Sequence, residues 1–156
     1  MSGHIDARLK ELGIVLPKMA APVANYAPWV KTGPLLFISG QITLNWAGTL
    51  EYVGTVGKEL TVEDARKAAR LAAINTLAVL HCALDGDLDR VTRVVKITGF
   101  VNAGPGFAEH PEVVDGASDL FVQVFGDAGR HARAAVGASS LPRGVAVEIE
   151  AIFEVR

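Results

Sequence analysis

The sequence predicts an α+β fold in which two helices pack on one face of a mixed β-sheet. Three observations support it: segments with strand-like alternation, two segments with a helical apolar face, and their order along the chain. That order is strands, long helix, strand, helix and a final strand pair, which suits helices layered on a sheet. With 156 residues, 50% of them apolar and 21% charged, the chain has the size and balance of one globular domain, residues 1–156.

The first 60 residues contain one predicted helix and two predicted strands. Ile5 to Leu12 form a short amphipathic helix that ends at Gly13, within an N-terminal extension of residues 1–21. The apolar segment Leu35 to Ile42 is a strand that enters a turn or bulge at its internal glycine, Gly40. A second short strand is expected near residues 51–56.

The centre of the chain contains the longest predicted helix. Thr61 is a plausible N-cap, acidic residues follow it in the first turn, and Gly86 supplies a stop. The apolar residues recur at helical spacing, and the many alanines among them predict close packing on the sheet: Ala65, Ala69, Ala72, Leu77, Leu80 and Leu84. Cys82, the only cysteine, is expected in the buried core of this helix.

A strand and a second helix follow. Residues 90–102 alternate, which predicts a half-buried strand with Val91, Val95, Ile97 and Val101 on one side and Thr92, Lys96, Thr98 and Asn102 on the other. His110 to Phe125 fit a helix that ends near Gly126. Its apolar members are Val113, Val114, Leu120, Val124 and Phe125.

The tail is predicted to be a strand pair around the turn Leu141-Pro142-Arg143-Gly144. On the last strand the odd-numbered residues from Val145 to Val155 are apolar, so Glu148 points away from the core. If Pro142 and Arg143 are the central turn residues, Gly137 lies opposite Glu148, and Arg133 shares the face of Glu148 at roughly 13 Å along the strand. A bulge near residues 139–140 would reverse this parity.

Arg133 and Glu148 are therefore candidate site residues. A guanidinium grips a carboxylate through two parallel hydrogen bonds, and a carboxylate can hold or activate a water molecule. From spacing alone, the alternative is that both are ordinary surface residues paired with neighbours such as Lys96 or Glu150.

Composition argues against several function classes. The net charge of −2 gives no electrostatic reason for tight nucleic-acid binding. No signal-peptide pattern and no apolar run of membrane-spanning length occurs, so a cytoplasmic location and no membrane partner are expected. The four histidines show no zinc-ligand spacing, and no metal site is predicted.

Three motifs resemble the RidA family, also known as the YjgF/YER057c/UK114 family. The ending ARAAVGASSLPRGVAVEIEAIFEV places Arg133, the Leu141-Pro142 pair and the strand Glu148 to Ala151 as that family does. FISGQI supplies Ser39, Gly40 and Gln41, and APWV lies upstream. The resemblance covers about residues 22–156, and its terminal motif is the specific part.

The resemblance implies a chorismate-mutase-like fold, a homotrimer and ligand clefts between subunits. It implies an imine/enamine deaminase that hydrolyses reactive 2-imino acids to 2-keto acids and ammonia without metal or organic cofactor. Arg133 would bind the substrate carboxylate, Glu148 would position water, and Ser39 and Gly40 would line the cleft. Such chemistry needs mainly orientation and one acid–base group.

Two departures from the family pattern affect the cleft. Trp29 stands where the best-studied members have tyrosine, and Ala135 stands where cysteine is frequent. Both would line the substrate site. The alternatives are a non-catalytic small-carboxylate-binding protein of the same fold and, less favoured by the charge balance, an endoribonuclease or translation inhibitor.

Overall fold

The computed structural model describes residues 3–19, 21–22 and 24–156. Its helices are α1 (His4–Glu11), α2 (Val62–Ala83) and α3 (His110–Phe125). Its strands are β1 (Trp29–Thr32), β2 (Leu35–Gln41), β3 (Val91–Asn102), β4 (Ala132–Ala138) and β5 (Val147–Val155). The strands form one sheet in the order β1-β2-β5-β3-β4. The predicted α+β class, a mixed sheet with helices on one face, is confirmed.

Helix α2 begins and packs as its sequence predicts. The Asp64 backbone N–H donates to the Thr61 hydroxyl and the Thr61 N–H donates to the Asp64 carboxylate, both at 3.1 Å, a reciprocal cap. All six predicted core positions of this helix are at most 1% exposed. Helix α3 lies close to it, since a side chain at Gly116 would overlap the backbone carbonyl of Arg66. Small residues thus set the spacing between the two helices.

Strand β5 occupies the centre of the sheet, antiparallel to both β2 and β3. The side predicted to be apolar is buried, with no member more than 4% exposed: Val145, Val147, Ile149, Ala151, Phe153 and Val155. This side faces the helices, and none of the helices in the described part of the chain lies on the other sheet face. The faces of this strand were predicted correctly.

The predicted hairpin of the last two strands is wrong. Strand β4 pairs in parallel with β3, and β3 separates it from β5. The reason is the crossover through α3, which returns the chain to the same end of the sheet and makes the next strand parallel. Residues Pro142–Gly144 form a short 3-10 turn that leads to β5, and Arg143 adopts φ 59° there.

Three smaller predictions also need correction. No strand forms over residues 51–56, where Tyr52 (φ 53°) and Gly54 (φ 139°) interrupt extended backbone and only isolated bridges occur. Edge strand β1 was not predicted. In β3 a register shift between Val94 and Lys96 turns Val94 toward the core, at 0% exposed, in place of Val95.

Cys82 does not lie in the core. It is exposed on the last turn of α2, beside the N-terminal segment. The predicted N-terminal helix is confirmed as α1, whose first N–H groups, those of His4 and Ile5, donate to the Asp89 carboxylate at 2.8 Å each. Within the described residues, no helix has the length and apolar character needed to cross a membrane.

Candidate functional site

Glu148 lies on the sheet face that the helices leave uncovered. It is opposite Phe100 of β3, and its neighbours along β5, Val147 and Ile149, point to the core. Its carboxylate rests on the backbone of Gly40, because a methyl group at Gly40 would overlap the Glu148 Oε1. Glycine is therefore required at position 40 for space, and the carboxylate is seated on the bend in β2.

The bend is the bulge that the sequence predicted. Ile38 is opposite Ala151 and Gln41 is opposite Ile149, so two residues of β2, Ser39 and Gly40, face a single residue of β5. Without this extra residue the backbone at Gly40 would continue the regular ladder. The bulge thus creates the seat for the carboxylate.

Burial, and to a lesser degree the neighbouring Glu150 carboxylate, raise the pKa of Glu148 above its ordinary value. Both effects disfavour the charged form, the first by desolvation and the second by repulsion. A carboxyl group whose pKa moves toward neutrality is better suited to take and return protons near neutral pH.

Ser39 is held by the chain segment before β1. Its hydroxyl donates to the Ala27 carbonyl at 2.7 Å, and its backbone N–H donates to the Pro28 carbonyl at 3.0 Å. It also lines a cavity of about 330 Å³ on the uncovered face, together with Thr98 and Glu150. The serine therefore connects the bulge to this concave part of the sheet.

Arg133 points to the opposite side of the sheet from Glu148. It lies level with Ile97, which is completely buried under the helices. Its Nη1 donates to Asp115 Oδ1 at 2.8 Å and to Ser118 Oγ at 3.2 Å, both on α3. The predicted shared face is thus wrong. The alternation along β4 was right, but the arginine side of this edge strand faces α3.

Trp29 and Ala135 also lie on the helix side of the sheet, at its two edges. Trp29 in β1 is opposite Ile38 and packs against the core. Ala135 in β4 is opposite Gly99, one pleat repeat from Arg133. Ala135 therefore belongs with Arg133, whereas Trp29 lies near the β2 bulge.

Within one chain the candidate residues form two separate groups. Across the sheet, Glu148 on β5 and Arg133 on β4 are separated by β3, which places their backbones roughly 10 Å apart in that direction. Along the strands, their partners on β3 are three residues apart, which adds a separation of roughly 10 Å in the perpendicular direction. Their backbones are therefore about 14 Å apart, and their side chains leave opposite faces. One group is the bulge with Ser39, Gly40 and Glu148, and the other is the β4 edge.

The partners of Arg133 were not predicted from the sequence. Asp115 and Ser118 are three residues apart on α3, and His131 lies two residues before Arg133, so each pair shares a side of its element. The His131 Nε2 is 2.9 Å from the Ser118 hydroxyl, and its Nδ1 is 2.6 Å from the Gly129 carbonyl. The spacing was visible, but the approach of α3 to β4 was not.

No group of three or more His, Cys, Asp or Glu side chains that could hold a metal ion occurs among the residues that the structure describes.

Residues 6–149 match the family described as "YjgF/chorismate_mutase-like, putative endoribonuclease". The match begins upstream of residue 22, where the resemblance was expected to start. A curated relative, protein TCP17 of Trypanosoma cruzi, is 48% identical over 99% of this chain and 96% of its own length. The 2-iminobutanoate/2-iminopropanoate deaminase of Dermatophagoides farinae is 29% identical over 91% of this chain and 94% of its own.

Two solved structures show the same fold. A protein with unknown function from Agrobacterium tumefaciens is 47% identical, with a TM-score of 0.90 over 97% of this chain and 93% of its own. TdcF of E. coli, solved with bound serine, is 26% identical, with a TM-score of 0.60 over 90% and 92%. The fold, the terminal motif and the matched length together show that this chain belongs to the YjgF family, which is the RidA family.

Proposed function

We propose that this protein is a cofactor-independent imine/enamine deaminase that hydrolyses 2-imino acids to 2-keto acids and ammonia. The observation that carries the proposal is the Glu148 carboxylate, seated on Gly40 with a raised pKa on the uncovered sheet face. Arg133 adds a fixed guanidinium for the substrate carboxylate. The deaminase of Dermatophagoides farinae, related over most of the chain, supports the same chemistry.

In the proposed reaction Arg133 binds the carboxylate of the protonated imine. Glu148 takes a proton from water as the water oxygen attacks the imine carbon, which gives a carbinolamine. The proton then passes from Glu148 to the amine nitrogen. Glu148 then takes the hydroxyl proton as the ketone forms and the carbon–nitrogen bond breaks. It passes this proton to the departing ammonia, which leaves as ammonium, and the Glu148 carboxylate is regenerated.

Because Arg133 and Glu148 leave opposite faces of one sheet, the complete site needs two subunits. In the proposed homotrimer, Glu148, Ser39, Gly40 and Trp29 of one chain meet Arg133 of the partner subunit, with Ala135 beside it. Two observations support such assembly. Strand β4 is an open edge, and the uncovered sheet face exposes Val30, Phe37 and Val136.

The direct test uses 2-imino acids made in situ by an amino-acid oxidase in the presence of semicarbazide. An active deaminase lowers the yield of trapped semicarbazone by hydrolysing the imine first, and the Glu148→Gln variant lowers it far less. Glu150→Gln is the matched control, because Glu150 lies on the same strand and the same face. Identical trapping with and without the unmodified protein, across several imines, would contradict the proposal.

The alternative is a small-carboxylate-binding protein without turnover. The serine bound to E. coli TdcF favours it, because serine carries a carboxylate and is not an imine. The same experiment separates the two functions, since a binder would bind 2-keto acids through Arg133 and leave trapping unchanged. For both functions we propose a cytoplasmic protein with a small-molecule ligand and no nucleic-acid partner, which the net charge of −2 supports.

A further inference from the structure

The guanidinium of Arg133 is attached to α3 through one nitrogen only. Nη1 carries two hydrogens, and Asp115 and Ser118 accept one each, at 2.8 Å and 3.2 Å. Among the described residues, neither Nε nor Nη2 has a hydrogen-bond partner. The side chain is 25% exposed, so a ligand can reach it from outside the chain.

The free edge has the geometry that a carboxylate needs. The Nε–H and Nη2–H bonds of a guanidinium run parallel and match the two oxygens of a carboxylate. The end-on edge, which uses Nη1 and Nη2, is not available while Nη1 is occupied. A substrate carboxylate can therefore make two bonds to Arg133 in one orientation only.

A chain of hydrogen bonds extends behind Ser118. The Gly129 carbonyl only accepts, so the His131 Nδ1 at 2.6 Å carries the proton and the neutral ring offers Nε2 as an acceptor. The Ser118 hydroxyl then donates to Nε2 at 2.9 Å and accepts from Arg133. Burial, with the charge of Arg133 as a smaller cause, lowers the pKa of His131, which keeps this neutral form at neutral pH.

These hydrogen bonds therefore all point the same way from donor to acceptor. They run from Arg133 to Ser118, from Ser118 to His131 and from His131 to the Gly129 carbonyl. Bonds aligned in this way polarise one another, and each strengthens the next. Together with the bond to Asp115, these hydrogen bonds restrict the Arg133 side chain before a ligand binds.

We propose that Asp115, Ser118 and His131 are positioning residues, which hold Arg133 by Nη1 and present its Nε–Nη2 edge to the substrate carboxylate. The inference rests on the proposed function, in which Arg133 binds that carboxylate. None of the three residues touches the substrate. Their effect is on affinity, because the side chain is ordered before the ligand arrives.

The test is the Ser118→Ala variant, which removes the link between Arg133 and His131 and keeps a strong helix former in α3. Ordering of one flexible side chain corresponds to about a two- to tenfold change in affinity. We expect KM for a 2-imino acid and Kd for pyruvate, measured by titration calorimetry, to rise by that factor while kcat stays within about twofold.

Two further variants separate positioning from general damage. Ser118→Thr keeps the hydroxyl and should restore affinity, and Asp119→Ala changes the next, exposed residue of α3 and should have no effect. The positioning role alone would be overturned by two results together. These are pyruvate binding by Ser118→Ala that equals binding by the unmodified protein, and weak pyruvate binding by Arg133→Lys. Unchanged binding in Arg133→Lys would overturn the proposed function itself.

Discussion

The division of the candidate residues between two faces of the sheet predicts that two inactive variants restore activity when they assemble together. One variant is Arg133→Ala and the other is Glu148→Gln. Loss of the carboxylate's acid–base role typically lowers the rate by about 10²- to 10⁴-fold, and loss of the arginine removes substrate binding. Each variant alone should therefore show at most about 1% of the unmodified activity.

The size of the recovery follows from the assembly. In a trimer mixed at random from equal amounts, a site takes an intact Arg133 from one subunit with a chance of about one half, and an intact Glu148 from the next with the same chance. About a quarter of all sites then contain both residues, which corresponds to about one site in three in the trimers that contain both variants. If both residues came from one chain, no site would be intact, because each chain lacks one of them.

The assay requires mixed trimers of known composition. The two variants are expressed with different tags, unfolded and refolded together, and isolated by both tags in succession. Imine hydrolysis is then measured by semicarbazone trapping, with separately refolded variants as the control. Activity of doubly purified trimers that stays at the level of the separate variants would refute the intersubunit site.

Four further predictions concern single residues. Arg133→Lys should lose most of its affinity for 2-keto acids in calorimetry although the charge is kept, because an ammonium lacks the two parallel N–H groups. Glu148→Gln should keep the affinity for 2-keto acids and lose hydrolysis in the trapping assay. Glu150→Gln should keep both properties. The reverse result would place the acid–base group at Glu150, one pleat repeat from Glu148. Gly40→Ala should displace the Glu148 carboxylate and lower kcat by at least tenfold with the fold retained, as checked by circular dichroism. Since the folded-state pKa of Glu148 is raised, its contribution to stability is present below its unfolded pKa and is lost as pH rises through the folded-state value. Urea unfolding should therefore show Glu148→Gln gaining stability over the unmodified protein as pH rises above about 4, and a constant difference would argue against a raised pKa.

The sequence predicts best where one local pattern determines one structural property. The apolar side of β5, the cap at Thr61 and the limits of α3 all follow from periodicity and capping residues, and the structure confirms them. The bulge at Gly40 was signalled by a glycine inside an otherwise apolar strand. Each of these properties depends on residues a few positions apart.

The errors arise where neighbours in space are distant in sequence. A proline–glycine turn between two strands is compatible with a hairpin, and nothing local reveals that β5 pairs with β2 and β3 instead. Strand β4 has alanines on both sides, so its alternation could not show which side faces the helices. Asp115 and Ser118 meet Arg133 only because α3 crosses back over the sheet edge. The composition of the site therefore depends on topology as well as on motif.

The central position of β5 has a consequence for how the protein is made. The strand is the last element of the chain, yet it completes the ladders of both β2 and β3 and carries Glu148. During synthesis, β1 and β2 cannot join β3 and β4 until β5 has left the ribosome, so β2 and β3 each expose an unpaired strand edge until then. Closure of this sheet is therefore expected only after β5 has been made, and deletion of β5 should leave β1 and β2 unpaired with β3 and β4.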